Sequence, residues 1–197
     1  MAGLFEKVVG WFFNPPTETN VEEPTEQLPV DALKEWTGKA RATIIYDSTV
    51  DEFTGGGLFQ TVKDKPNIAI VATTTDGDVF WGFYSRPARE PGKLFHDPNM
   101  FIFSFKSHGR CPTPQMFAVK DGPEQHETAY VRLAKKISFG QYVVFQGSLG
   151  EIFLGNEKSH TFCTKLSQSF EGIEDTTLTG KDGSRFTCCR LVAIQLE

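Results

Sequence analysis

Ile68-Ala69-Ile70-Val71-Ala72-Thr73, then Thr75-Asp76-Gly77-Asp78, then Val79-Phe80-Trp81-Gly82-Phe83-Tyr84: this stretch decides the fold class. Two apolar runs rich in β-branched and aromatic residues flank a turn in which Asp-Gly supplies the positive φ values a tight hairpin needs. Further runs of the same kind follow, at Phe101 to Phe105, Met116 to Val119, Tyr130 to Leu133, Tyr142 to Phe145 and Glu151 to Leu154. A last hairpin is expected to turn at Lys181 to Ser184 into one long strand, Arg185 to Leu196. Short strands at short intervals with Gly-rich turns and few helices predict a mainly β fold, a two-sheet antiparallel β-sandwich.

Upstream of the hairpin, Ala42 to Tyr46 reads as a buried strand. Asp47-Ser48-Thr49 reads as capping chemistry for a helix carrying Phe53, Leu58, Phe59 and Val62. Gly55-Gly56-Gly57 in that helix is costly and implies close approach of another backbone. A phosphate loop would need Lys-Ser/Thr where Leu58-Phe59 stand. Pro29 opens an earlier helix with Val30, Leu33 and Trp36 on one side, closed by Gly38.

The N-terminus divides in two. Residues 1–13 form an amphipathic helix with Leu4, Phe5, Val8, Trp11 and Phe12 on one face; docking on its own domain, on a partner or on a membrane all stay open. Residues 14–29 hold four Pro and four Glu, a composition that reads as an extended linker, so the expected domain runs from 30 to 197.

With 197 residues, 18 Phe, 3 Trp and 4 Tyr, the chain has ample material for one packed interior. Its net charge of -5, with no Lys/Arg cluster in the sequence, lacks the basic footprint of a nucleic-acid binder. Without a membrane-spanning run or a cleavable leader, the chain reads as cytoplasmic.

In order along the chain, Ile44-Ile45-Tyr46-Asp47-Ser48 with Phe53 and Phe59, then Asp76 to Ser85, Asp97-Pro98-Asn99-Met100-Phe101-Ile102-Phe103-Ser104-Phe105, Gly150 to Leu154, Ser159 to Phe170 and Cys189 to Ile194 resemble the TLDc domain family of the oxidation-resistance proteins. Trp81 stands where the family has the first glycine of a Gly-Gly pair, and residues 106–128 match nothing in its pattern. The resemblance implies a sandwich of two antiparallel sheets with flanking helices, no established catalytic site, a role in oxidative-stress resistance and, in several members, binding to the vacuolar proton ATPase.

Catalytic chemistry is poorly supplied. His96, His108, His126 and His160 are scattered among turn residues. His96-Asp97 has a base and a carboxylate adjacent in sequence, where geometry seldom serves catalysis. Ser104 is not on a nucleophile elbow. Asp47, Asp51 and Glu52 lack the spacing of a calcium loop. No metal set and no cofactor motif is present. Cys163, Cys188 and Cys189 sit in settings that suggest burial, so Cys111, in a loop beside Arg110, is the redox candidate. The expected function is therefore that of a non-enzymatic adaptor. Its binding surface is expected in the charged loop bearing Arg86, Arg89 and Glu90, or on Trp11 and Phe12. The alternatives are an enzyme or small-molecule binder with a cleft near Asp47, Gly82 and Glu151, and a membrane-tethered module using residues 1–13.

Overall fold

The computed structural model describes residues 28–120, 122, 129–133, 141–155, 161–180, 183 and 185–197. The expected helix 1–13 with Trp11 and Phe12, most of the expected linker, His126 and His160 lie outside the described residues.

Among the described residues, twelve strands form two antiparallel sheets packed face to face as a β-sandwich. They are β1 (Ala42–Asp47), β2 (Ile68–Thr74), β3 (Val79–Tyr84), β4 (Phe95–His96), β5 (Phe101–Lys106), β6 (Gln115–Ala118), β7 (Tyr130–Leu133), β8 (Gln141–Gln146), β9 (Glu151–Gly155), β10 (Thr161–Thr164), β11 (Arg185–Phe186) and β12 (Cys188–Leu196). The first sheet has the order β1-β12-β2-β3-β5-β6 and the second β11-β10-β9-β8-β7-β4. The β2–β3 turn is closed by Thr74 N donating to Asp78 O (2.9 Å), with Gly77 at φ +83°.

The alternation of the Phe101 to Phe105 run explains why the first sheet is buried on both faces. Ile102 joins the core between the sheets, together with Phe80, Phe145, Phe170 and Leu191. Phe101, Phe103 and Phe105 point the other way, where helix α1 (Val30–Thr37) covers them. Its Trp36 ring lies 6.2, 5.9 and 6.1 Å from the three rings. Helix α1 follows Pro29 and stops at Gly38, φ +66°, the left-handed conformation expected of a glycine terminator. Leu28, inside the expected linker, is half-buried against this outer layer.

Three readings are corrected. β1 is an edge strand rather than a buried one: Thr43 and Ile44 face solvent, and Ile44 is 50% exposed. Asp47, Ser48 and Thr49 do not cap helix α2 (Gly55–Val62); Thr54 does, its Oγ1 accepting from Gly57 N at 3.1 Å. Arg185 to Leu196 is two strands in different sheets, broken at Thr187, because Phe186 enters the inter-sheet core beside Phe80 (5.2 Å between rings) before the chain crosses. The close approach expected of the glycine triplet is local: a Cβ on Gly57 would stand 3.2 Å from Glu52 O.

Asp47 instead ties β1 to β12. Its carboxylate accepts from Arg190 Nη2 at 2.6 Å and Nε at 3.1 Å, and from the Thr49 amide and hydroxyl. The Arg190 guanidinium holds the Asp47 carboxyl below the usual carboxylate range, and Asp47 in turn raises Arg190. Nearby, burial and then Asp51 push the Tyr46 phenol up to about 12.

Two measurements check this architecture. Phe103→Ala, removing a fully buried ring, should cost about 3–5 kcal/mol in denaturant unfolding; a loss below about 1 kcal/mol would contradict the two-faced burial of β5. Arg190→Gln should cost about 2 kcal/mol near neutral pH, a Tm drop of about 4–8 °C. Because the folded Asp47 pKa is depressed, this contribution is complete above the unfolded value of about 3.9 and disappears as pH falls through the lower folded value. The Tm gap between wild type and variant should therefore shrink below about pH 4; a gap constant down to pH 3 would rule out the pair as its source.

Candidate functional site

After Tyr84 the chain leaves the first sheet, pairs with the second as β4 and returns to the first as β5. One fully buried carboxylate closes this excursion. Asp97 accepts from the Ser85 amide, the Ser85 hydroxyl (2.9 Å), the Arg86 amide (3.0 Å) and the Asn99 amide (3.1 Å). Its own amide donates to Ala129 O at 2.9 Å. Four donors on two carboxylate oxygens satisfy the buried charge and lock both ends of the loop together. Further along, Asp64 N donates to the buried Ala88 carbonyl (3.0 Å) and Gly92 N to Leu133 O (2.7 Å). Pro87 and Pro91 each remove one backbone freedom between these anchors.

On this frame Arg86, Arg89 and Glu90 are all exposed and close together in the chain. Arg86 Nη1 donates to His96 O at 3.1 Å, and Glu90 pairs with Lys93 at 2.9 Å. The His96 ring packs on Tyr130 at 5.7 Å, while the Asp97 oxygens accept from three amides and the Ser85 hydroxyl.

The alternative cleft is not assembled. Asp47, Val192, Val71 and Trp81 are successive partners across the first sheet, so Asp47 and Gly82 are about 14 Å apart, three strand spacings. Glu151 begins β9 in the other sheet, opposite Gln146. Gly82 has a packing role: a Cβ there would lie 2.7 Å from the Phe145 ring and 3.0 Å from Phe101 O. Trp81 beside it is fully buried. Burial, and then Asp97, raise the Tyr84 hydroxyl well above its ordinary value.

His108 meets a carboxylate, with Nδ1 2.8 Å from Asp78 Oδ1, across thirty residues of sequence. Arg110 shares the same oxygen at 2.8 Å and donates to Thr177 O (3.0 Å) and Leu178 O (2.9 Å). Asp78 thus ties the β2–β3 turn to the loops before β6 and after β10. Arg110 balances its charge, which suits a clamp better than a base-orienting group. Among the described residues no group of three His, Cys, Asp or Glu is placed to hold a metal ion.

The thiols reverse the expected ranking. Cys111 is buried, its amide bound to Ser107 Oγ at 2.7 Å, while Arg110 is engaged with Asp78 and the two carbonyls. Cys163 and Cys188 are buried. Cys189, expected to be buried, is exposed because β12 alternates and Cys188 takes the inner face. Its thiol donates to Thr73 O at 3.3 Å on a cavity of about 470 Å³ that Leu28, Pro29, Phe105, Lys106 and Pro114 also line.

The family model of the TLDc domain matches residues 17–189. No curated protein matches the chain.

Alkylation of the folded protein with a small maleimide should label Cys189 first and leave Cys111 until the chain unfolds. Mass mapping that finds Cys111 modified ahead of Cys189 would contradict this placement.

Proposed function

The chain belongs to the TLDc domain family, and on that footing we propose that it works as a non-enzymatic adaptor whose Ser85 to Lys93 loop captures a protein partner. The family is linked to oxidative-stress resistance and is a protein-interacting one. The vacuolar proton ATPase is the partner that family membership suggests, and stress protection is the outcome of that contact. One observation carries the reading: a loop stapled at its base by buried Asp97 holds charged side chains out to solvent on a stiffened frame. Such a frame lowers the ordering cost of binding, and a loop on a rigid scaffold is the usual place for recognition in a sandwich. Among the described residues, no helix is long and apolar enough to cross a membrane.

The test is capture of partners from native-cell extract by the full chain, and of purified vacuolar proton ATPase in parallel. Arg86→Glu with Arg89→Glu should reduce capture about tenfold or more while Tm moves by less than about 2 °C, since neither side chain is buried. Undiminished capture by the double variant would remove the loop from the binding surface.

A further inference from the structure

We infer that the partner segment taken by this loop is acidic, an extended stretch rich in Asp or Glu that lies across a cationic corner made by two parts of the chain. The inference rests on the reading of the Ser85 to Lys93 loop as the binding surface. The β2–β3 ladder does not end with its strands. Asn67 N donates to Ser85 O at 3.2 Å and Asp64 N to Ala88 O at 3.0 Å, so Lys63-Asp64-Lys65 runs antiparallel beside Arg86 to Glu90. A cluster invisible in linear sequence results: Lys63, Lys65, Arg86, Arg89 and Lys93 against two acids, Asp64 and Glu90, on a chain whose net charge is -5. Both acids are already answered, Asp64 by Lys63 at 3.9 Å and Glu90 by Lys93 at 2.9 Å. Lys65, Arg86 and Arg89 have no carboxylate partner among the described residues.

Arg86 is also oriented, since Nη1 donates to His96 O on a side chain that is otherwise exposed. A planar fork fixed in this way matches a carboxylate with two parallel hydrogen bonds. An anionic membrane surface fits less well: Leu94 is the exposed large aliphatic beside these cations, and a lipid-binding face pairs its charges with a broad apolar one. Nucleic acid would meet the two acids as well as the cations.

The chain's own glutamates join the domain at Leu28, at the turn end of the hairpin, and the corner lies about 20 Å along the strands at the open end. Six extended residues span about that distance, so Glu22 and Glu18 have the contour to compete; tighter binding of the peptide described below after Glu18→Gln/Glu22→Gln/Glu23→Gln/Glu26→Gln would assign the corner to this chain's own segment and overturn the inference.

The probe is a fluorescein-labelled peptide of about 12 residues alternating Glu and Ser, titrated with the full chain and read by anisotropy at low and at physiological salt. Binding should weaken several-fold at the higher salt and about tenfold in Arg86→Glu/Arg89→Glu. Glu90→Gln should tighten it a few-fold. Arg185→Glu, on β11 at the far edge of the second sheet, should leave it unchanged, and a Gln-for-Glu peptide should not bind. Absence of binding, or binding indifferent to the double variant, overturns the inference. So does binding to phosphatidylserine vesicles without binding to the peptide, which would assign the corner to a membrane. In the capture assay the peptide should displace the partner. If the loop variants abolish capture but excess peptide does not compete, the acidic-segment inference falls and the adaptor reading stands; if capture survives the variants, both fall.

Discussion

The sandwich depends on the insertion of its last strand between its first two. β12 pairs with β1 on one side and β2 on the other, from Ala42↔Leu196 at one end to Cys188↔Thr74 at the other. It also serves both apolar layers: Leu191 and Ala193 point between the sheets, while Val192, Ile194 and Leu196 lie under α1. Arg41 and Glu197 exchange two backbone hydrogen bonds at 2.9 Å beyond the end of the ladder. Remove this strand and β1 has no neighbour, β2 becomes an edge, and α1 loses part of its floor. Residues about 150 apart in sequence must meet before the first sheet closes, so the closure entropy of a long loop is spent on one contact.

The second constraint is the narrow gap between the sheets. Gly82 lets the Phe145 ring approach β3, and two residues on, just past the end of β8, a Cβ on Gly147 would fall 2.4 Å from Ser169 Cβ. The Ser169 hydroxyl accepts from the amides of Leu149 and Gly150, at 3.0 and 2.6 Å, closing the β8–β9 turn from a segment twenty residues away. The neighbouring Phe170 is fully buried. Ser169-Phe170, at the end of the Ser159 to Phe170 stretch that resembles the family, is thus a packing device: a hydroxyl for two amides of the β8–β9 turn and a ring for the core.

What could be read in advance, and what could not, follows from the range of each interaction. The β2–β3 hairpin, the Phe101 to Phe105 alternation and the limits of α1 at Pro29 and Gly38 are local, set by period and backbone preference, and all three are found in place. The edge position of β1 depends on a neighbour at the far end of the chain, so an apolar run was read as buried where one side was to stay open. The break at Thr187 is decided by which sheet takes each half, information that a continuous apolar stretch does not hold. At the candidate site, Arg86, Arg89 and Glu90 were legible as an exposed charged loop, but the Asp97 clasp was not, because it is written in backbone amides. Lys63 and Lys65 were missed for a similar reason: two backbone hydrogen bonds bring them to the loop. Arg110 sits next to Cys111 in sequence yet serves Asp78 in space, and the burial of that thiol followed neither its neighbour nor its loop setting.

The Asp97 clasp has a further consequence. Three of its four donors are a backbone N–H, and the other two anchors of the loop, at Ala88 and Gly92, are also main-chain contacts. Between Arg86 and Lys93 the frame depends on side-chain identity only at Pro87 and Pro91, at Gly92, φ +79°, and at the small buried Ala88. The exposed side chains are therefore decoupled from the scaffold that presents them: substitutions at positions 86, 89, 90 and 93 change the charge of this surface without touching the buried core. Such a loop is a place where a designer can install a foreign epitope.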